Sequence, residues 1–324
     1  MNVYLSFDIE VCCNGWDQLE SAFPAAFERY IYGHSRQDGY ALPKTLEILN
    51  RHGLRGVFFV EPLFAARFGL EPLQRIVGLI RSAGQEVQLH LHPEWTDEAL
   101  EPLIPDCQRK RQHLSYYTLD EQTALIAHGQ RLLQAAGSGP LTAFRAGSYA
   151  ANRDTYTALA RNQIWLDSSL NRCGKTSGLD LREGARPFEL PLSLDGVTSL
   201  PISVFRDGFG RDRPAQVGAC GASELAQALR SARAAGRQHF VIVSHNFEML
   251  RAGSTQPDRV VVRRFEALCA HLARESERYT VRGMSEPVPL APVQPTGGDK
   301  NTPQVGWWPT AQRHAEQLQR RLYR

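Results

Sequence analysis

The chain has 324 residues, 42% of them hydrophobic and 22% charged, which is typical of a globular protein and not of a disordered or fibrous one. Its formal net charge of +3 is small for this length, and no basic stretch is interleaved with aromatic residues, so we expect no nucleic-acid partner. The first ten residues lack the features of a signal peptide, and no run of about 18 apolar residues occurs. We therefore expect a cytoplasmic protein with no transmembrane segment.

Strand and helix patterns alternate from the start of the chain. NVYLSFDIE places Val3, Leu5 and Phe7 on one face and predicts the first strand. LPKTLEILNRHG predicts a helix with Pro43 in its first turn and Gly53 after its end. The apolar run GVFFV predicts the second strand, PLQRIVGLIRSAG the next helix, and EVQLHLH the third strand.

The same alternation continues after a polar loop. A capping box of Thr118 and Glu121 predicts the start of the helix TLDEQTALIAHGQRLLQAAG. The elements that follow are LTAFRAG (strand), NRDTYTALARN (helix), IWLDSS (strand), PFELPLS and VTSLPIS (extended), SELAQALRSARAAG (helix with Ser223 as N-cap), HFVIVSH (strand) and PDRVVVRRFEALCAHLARES (helix). This order predicts an α/β fold with a parallel sheet, and the length fits a (β/α) barrel of about seven units.

The C-terminal part has a different composition. Residues 286–306, EPVPLAPVQPTGGDKNTPQVG, predict a linker rich in proline and glycine after a domain of residues 1–285. Residues 307–324 predict a basic helical tail with few apolar residues. We expect this tail to be a solvated helix, the alternative being peripheral contact with an acidic membrane surface or a partner.

Ionisable residues close or follow the predicted strands, where parallel α/β folds place their catalytic residues. They are Asp8 and Glu10, His90, His92 and Glu94, Arg145, Asp167, and His245. Taken singly, each has a structural explanation: Asp8 and Glu10 could cap a turn, and the two histidines could be a polar pair on a strand. Together they favour a hydrolytic metal site, which needs carboxylates and imidazoles at one edge of a sheet.

Five motifs in order, SFDIE, VQLHLHPEW, FRAGSYAAN, WLDSSLN and IVSHNFEM, resemble those of the polysaccharide deacetylases of carbohydrate esterase family four. The resemblance covers about residues 1–283 and implies a distorted (β/α) barrel. It also implies a hydrolase that removes an N-acyl group, usually acetyl, from an amino sugar. The substrate would be a carbohydrate and the cofactor one divalent metal, zinc first, with cobalt, nickel and iron as alternatives.

The resemblance implies a role for each matching residue. Asp8 matches the general base, and His245 matches the general acid. Arg145 matches the residue that orients the base, and Asp167 the residue that tunes the acid. Substrate contacts are expected from the same motifs, namely from Tyr149 and Trp165.

The metal ligands implied by the resemblance include one departure from the family's pattern. The acidic ligand matches Glu10, but the family's HxxxH spacing places Glu94, not a histidine, four residues after His90. His92 shares a strand face with His90, and imidazole suits zinc better than a second carboxylate. We therefore expect Glu10, His90 and His92 as ligands, with Glu94 as the alternative to His92.

These expectations together describe a metal-dependent N-deacetylase that acts on a bacterial-type surface glycan or its precursor. Two other functions stay open. A small-molecule amidohydrolase could use the same fold, and the missing signal peptide is compatible with it. The unusual second motif favours a catalytically silent homologue that binds glycan or scaffolds an assembly.

Overall fold

The computed structural model describes residues 1–34, 39–174, 180–183, 186–187, 189–288 and 302–322. The strands are β1 (Asn2–Ile9), β2 (Gly56–Val60), β3 (Glu86–Leu91), β4 (Ala143–Ala146), β5 (Leu166–Asp167), β6 (Arg182–Glu183), β7 (Arg186–Pro187), β8 (Leu192–Leu194), β9 (Val197–Ser199), β10 (Val204–Arg206), β11 (Asp212–Pro214), β12 (His239–His245) and β13 (Thr280–Val281). The helices are α1 (Leu19–Phe27), α2 (Leu42–Arg51), α3 (Ala65–Phe68), α4 (Leu70–Ser82), α5 (Leu119–Ala135), α6 (Arg153–Arg161), α7 (Ala222–Ala234), α8 (Arg259–Arg274) and α9 (Trp307–Leu322).

The chain forms two compact units. Unit 1 comprises Met1–Gly56, Val204–Arg282 and the described part of the C-terminal segment, and unit 2 comprises Val57–Ser203 and the segment that begins at Gly283. In both units parallel strands are connected through helices, which confirms the predicted α/β fold of the (β/α) type. Most of the predicted linker, residues 289–301, lies outside the described residues.

In unit 1, β1 pairs in parallel with β12 on one side and with β13 on the other. The sequence alternation puts polar residues, Ser6 and Asp8 among them, on the face opposite to Val3, but every residue from Val3 to Ile9 is buried, as in parallel sheets that are covered on both faces. Phe7 of β1 packs edge-on against Phe265 of α8, with ring centroids 5.7 Å apart. The register places Asp8 opposite His245, so both residues end their strands at the same edge.

In unit 2, β2, β3, β4, β5 and β9 pair in parallel in this order, and β8 pairs antiparallel with β9. The register places His90 opposite Arg145. Gly129 allows α5 to lie close to β3, because a Cβ there would be 2.9 Å from Leu89 Cδ1 and 3.0 Å from Leu91 Cδ2. The parallel register of β3 and β4 also places their carboxyl ends side by side.

Local signals in the sequence are mostly confirmed. Thr118 N donates to Glu121 Oε2 (2.8 Å) and Glu121 N to Thr118 Oγ1 (3.3 Å), as the capping box predicts. The predicted N-cap Ser223 is wrong, because α7 begins at Ala222 and Gly221 N donates to Glu224 Oε2 (3.0 Å). The buried Glu224 side chain closes the start of the helix in place of a serine hydroxyl.

The C-terminal tail is helical, but it is not solvated on all sides. Thr310 and Arg313 of α9 are buried, and the helix packs against α7 within unit 1. The expected solvated helix is therefore wrong for this face of α9. Among the described residues, no helix combines the length and the apolar character needed to cross a lipid bilayer.

Candidate active site

The parallel register of β1 and β12 brings an acid and a base together in unit 1. His245 Nε2 lies 3.9 Å from Asp8 Oδ2. Single ligand atoms of Asp8, Glu10 and His245 all lie within 4.8 Å of one another. Asp8 is buried, whereas Glu10 and His245 are partly exposed. Three of the residues expected in the site are thus neighbours at one edge of this sheet.

A carboxylate that the motifs did not indicate holds His245. His245 Nδ1 donates to Glu248 Oε1 at 2.8 Å. Glu248 also accepts from Gln216 Nε2 (2.5 Å), Gly218 N (2.6 Å) and Ser244 Oγ (3.0 Å). A Cβ at Gly218 would lie 2.5 Å from Glu248 Oε2, so this approach requires glycine. The fixed carboxylate orients the imidazole with its Nε2 towards the carboxylate of Asp8.

The charges around His245 keep it protonated at neutral pH. Burial lowers the pKa of His245, but the hydrogen bond and the charge of Glu248, with the charges of Glu10 and Asp8, raise it to about 9. The protonated ring donates from Nδ1 to Glu248 and carries a second proton on Nε2. His245 can therefore give a proton to a group bound near Asp8.

Asn246 fixes the chain at the end of β1. Its Nδ2 donates to Glu10 O (3.1 Å) and Tyr30 O (2.6 Å), and its Oδ1 accepts from Glu10 N (3.2 Å). Asn246 N also donates to Asp8 O at 3.2 Å. This buried amide sets the position of the Glu10 backbone. The sequence analysis missed it, although Asn246 directly follows His245 in the motif.

In unit 2 the two histidines of HLH face each other. His90 Nδ1 bonds to Arg145 O (2.7 Å), and the two Nε2 atoms of His90 and His92 are 3.1 Å apart. A carbonyl oxygen only accepts, so His90 Nδ1 carries the proton and Nε2 of a neutral ring is left with a lone pair. Two nitrogen ligands of a tetrahedral zinc ion, at about 2.0–2.1 Å each, are roughly 3.3 Å apart. The histidine pair therefore fits a divalent metal ion.

Glu94 lies on the other side of His92. Its Oε1 accepts from His92 Nδ1 at 2.8 Å, which leaves His92 Nε2 directed at His90. A carboxylate bonded to the distal nitrogen of a histidine is a common support for a metal ligand. Gly147 lets the loop after β4 approach, because a Cβ there would lie 2.9 Å from His92 Nδ1. This arrangement favours His92, and not Glu94, as the metal ligand that VQLHLHPEW would supply besides His90.

Glu61 is a buried acid at the end of β2 that the sequence analysis also missed. It accepts from Leu63 N (2.7 Å) and Phe64 N (3.4 Å). Burial raises the pKa of Glu61 to about 8, with the charge of His92 acting in the opposite direction. Its signal was present in GVFFVEP, since an acidic residue follows a buried strand there as Glu10 does at β1.

Arg145 lies fully buried on β4. Its Nε donates to Ser168 O (3.1 Å) and one of its terminal nitrogens to Ser168 Oγ (3.1 Å). The guanidinium also lies over the ring of Phe59, 4.3 Å from its centroid. These contacts hold Arg145 in one orientation at the carboxyl end of β4. Its expected pairing with the general base stays a prediction.

The carboxylate bonded to His245 is Glu248 and not the expected Asp167. Asp167 accepts from Tyr156 Oη (2.7 Å), Ser169 N (3.0 Å) and Ser169 Oγ (2.5 Å). Burial raises the pKa of Asp167, against the lowering effect of these hydrogen bonds. Ser169 Oγ in turn accepts from Ala146 N at 2.9 Å, so the Asp167 network anchors the end of β4.

The two expected substrate contacts lie in different places. Ser148 and Tyr149 follow β4 with left-handed φ angles of 54° and 58°. Consecutive non-glycine residues in this region are strained and occur at functional loops, which agrees with a role for Tyr149. Trp165 instead precedes β5, and its N donates to Thr142 O at the amino end of β4. The amino end of β4 is the end opposite to Arg145 and Ala146, so this position does not support the expected substrate contact of Trp165, which stays a prediction.

Comparisons with known proteins give structural neighbours at low identity. No protein-family model matches the sequence, and the comparison with curated proteins found no relative. The chain is similar to a Mycobacterium smegmatis protein described as a polysaccharide deacetylase, at 18% identity and a TM-score of 0.49, covering 89% of this chain and 94% of that one.

Two further neighbours carry the name of carbohydrate esterase family four. One is an esterase from Streptomyces lividans in complex with acetate, at 14% identity and a TM-score of 0.43, with 88% of this chain and 93% of that chain covered. The other is a pseudoenzyme from Bacillus anthracis, at 16% identity and a TM-score of 0.39, with 86% and 61% covered.

Proposed function

We propose that this protein is a metal-dependent carbohydrate N-deacetylase of the polysaccharide deacetylase family. It hydrolyses an N-acyl group, usually N-acetyl, of an amino sugar in a surface glycan or its precursor, and it acts in the cytoplasm. The observation that carries the proposal is the pairing of the Asp8 carboxylate with a His245 imidazole 3.9 Å away. Amide hydrolysis needs one group to take a proton from water and another to give a proton to the leaving nitrogen.

The roles of the two residues follow from the position of Asp8 and from the protonation of His245. Asp8, a buried carboxylate, accepts the proton of the attacking water. His245, whose pKa of about 9 keeps it protonated at pH 7, donates from Nε2 to the nitrogen of the cleaved amide. Without this proton the nitrogen would leave as a strongly basic anion. Glu248 acts through His245, since its hydrogen bond fixes the ring and stabilises the imidazolium.

The metal site is proposed from the sequence and is supported by the histidine geometry. Glu10, His90 and His92 are the proposed ligands of one divalent ion, with zinc the first choice. The 3.1 Å separation of the two Nε2 atoms supports the histidine half of this set. A bound divalent ion would lower the pKa of water and withdraw charge from the substrate carbonyl. Glu94 would hold His92 in its ligating orientation.

Metal content and turnover test the proposal together. We expect one zinc ion per purified chain, and zinc-loaded protein should release acetate and a free amine from N-acetylated chito-oligosaccharides. His90→Ala should lose both the ion and the activity. Bound zinc without hydrolysis of any N-acyl amino sugar, but with retained glycan binding, would favour the silent homologue. Absence of metal binding in the wild type would refute the proposed mechanism.

A further inference from the structure

Helix α9 has its polar side against the protein. Arg313 donates from Nε to Glu224 Oε1 (3.0 Å) and from a terminal nitrogen to Asp207 Oδ2 (3.1 Å). The three side chains are at most 2% exposed. Arg320, about two turns further along the same face of α9, donates from Nε to Asp258 Oδ2 at 2.7 Å. Charged side chains, which usually face water on a surface helix, attach α9 to unit 1.

The apolar side of α9 consequently faces solvent. Trp307, Trp308 and Leu318 are 64%, 66% and 60% exposed. At about 100° per residue, these three side chains with Ala311 and Ala315 fall within an arc of roughly 100°. Arg313 lies on the opposite side of the helix. We call these five outward residues the α9 apolar face.

A neighbouring loop extends this face. Phe209 is 56% exposed and stacks on His314, with ring centroids 5.5 Å apart. Gly208 N donates to Thr310 Oγ1 at 2.9 Å, and a Cβ at Gly208 would lie 2.3 Å from Trp307 Cα. The loop is thus held against the first turn of α9, and its aromatic ring adds to the α9 apolar face.

We propose that the α9 apolar face docks this protein on a membrane surface that carries anionic headgroups. Exposed positive charges accompany this face. Glu316, the single acidic residue of α9, accepts from Arg264 Nε (2.7 Å), whereas Arg321 of α9 and Arg211, two residues after Phe209 in the chain, are exposed. Exposed tryptophans with flanking arginines suit the boundary between headgroups and acyl chains of an acidic leaflet.

The size and shape of the face favour a membrane over other occupants. A helix of 16 residues is about 24 Å long, so one face about 10 Å wide offers roughly 240 Å². A second copy of the chain would need about 800 Å² per partner for a stable interface. A small ligand needs a concave pocket, and the side of a helix is convex. A bilayer has no such minimum area and adapts to a convex face.

Vesicle sedimentation of the full chain tests the proposal. We expect the wild type to bind vesicles in which about a third of the phosphatidylcholine is replaced by phosphatidylglycerol, and to bind pure phosphatidylcholine far less. Trp307→Ser/Trp308→Ser and, separately, Leu318→Gln should weaken binding, the double variant by at least about ten-fold. Arg321→Gln should weaken it by about five-fold. Tyr116→Ser, which removes an aromatic residue of unit 2 with 57% exposure, is the matched control and should bind as the wild type.

The outcomes separate the membrane from its competitors. Circular dichroism of each variant reports whether α9 is kept, and Leu318→Gln replaces one helix-forming residue by another. Equal binding of wild type and both apolar variants would overturn the proposal, as would no binding to anionic vesicles. A dimer in sedimentation velocity that Trp307→Ser/Trp308→Ser converts to monomer would assign the face to a second copy instead. No residue of the candidate active site is changed, so the result is independent of the proposed catalytic function.

Discussion

Replacing Glu248 by glutamine should shift the protonation of His245 across neutral pH. Glu248 supplies the largest effects that raise the pKa of His245, through its hydrogen bond and its charge, against the lowering effect of burial. Glutamine keeps the size of the side chain and removes the charge. We therefore expect the pKa of His245 to fall from about 9 towards its usual value near 6.5.

The size of the effect follows from this difference. At pH 7.5 a group with a pKa of 9 is about 97% protonated, whereas a group with a pKa of 6.5 is about 9% protonated. With His245 as the general acid, kcat/KM of Glu248→Gln at pH 7.5 should be about ten-fold lower than that of the wild type. The basic limb of its pH profile, where kcat/KM falls as the acid loses its proton, should move from near pH 9 to near pH 6.5. At pH 5.5 the two proteins should differ much less.

The raised pKa of His245 also makes the free energy of unfolding depend on pH. The folded-state pKa of His245 is raised, so its contribution is complete below pH 6.5 and is lost as the pH rises to about 9. The difference between 6.5 and about 9 corresponds to about 3 kcal/mol in the free energy of unfolding. Wild type should lose this contribution between these pH values, and Glu248→Gln should show little of this loss.

Two measurements check the prediction. The imidazole signals of His245 in NMR report its pKa directly, and pH–rate profiles report the pKa of the acid in the reaction. Glu266→Gln, which removes a partly exposed carboxylate from α8, is the control and should leave both unchanged. A basic limb that stays near pH 9 in Glu248→Gln would refute the role of Glu248 in holding the proton on His245.

Further changes test the remaining parts of the structure. Asp8→Asn should lower kcat by about 10²–10⁴-fold in steady-state kinetics while the bound metal is kept, and full activity would remove Asp8 as the base. Equilibrium dialysis should show no zinc in His90→Ala and about 10–100-fold weaker binding in Glu94→Gln, whereas complete loss in Glu94→Gln would make Glu94 itself a ligand. Arg313→Met should destabilise α9 by about 3–5 kcal/mol, seen as faster amide hydrogen exchange in this helix. Arg51→Met breaks two exposed pairs, with Glu47 and Glu266, and should cost about 1 kcal/mol or less, so equal effects of the two variants would contradict the importance of burial.

The elements that define the sheets could be predicted because their signals are local. GVFFV coincides with β2, and HFVIVSH coincides with β12. Parallel strands end at a common edge, so polar residues at their carboxyl ends were expected to meet. Asp8 and His245 do meet in unit 1 for this reason, and His90 is opposite Arg145 in unit 2.

The partner of His245 could not be predicted because it depends on a distant segment. Glu248 lies three residues after His245, but nothing in HNFEM shows that its side chain turns back to the imidazole. That orientation is set by Gln216 and Gly218, which donate to Glu248. Residues 215–217 are in turn held beside β12 by the bonds from Val243 N to Ala215 O (2.9 Å) and from Val217 N to Val243 O (3.1 Å). The motif predicted His245, whereas its carboxylate partner is determined by the tertiary fold.

The burial of one side of helix α9 also depends on distant segments, so it too could not be predicted from the sequence. A pattern of few apolar residues and several arginines predicts a helix surrounded by water, because arginine is costly to bury. Burial becomes favourable when acceptors are already in place, and Asp207 and Glu224 provide them from positions 106 and 89 residues earlier in the chain. Once Arg313 is bound inward, helical geometry directs Trp307 and Trp308 outward, since they lie on the other side of the helix. The exposed tryptophans are thus a consequence of the buried ion pairs, and a change that releases Arg313 should also disturb whatever the tryptophans bind.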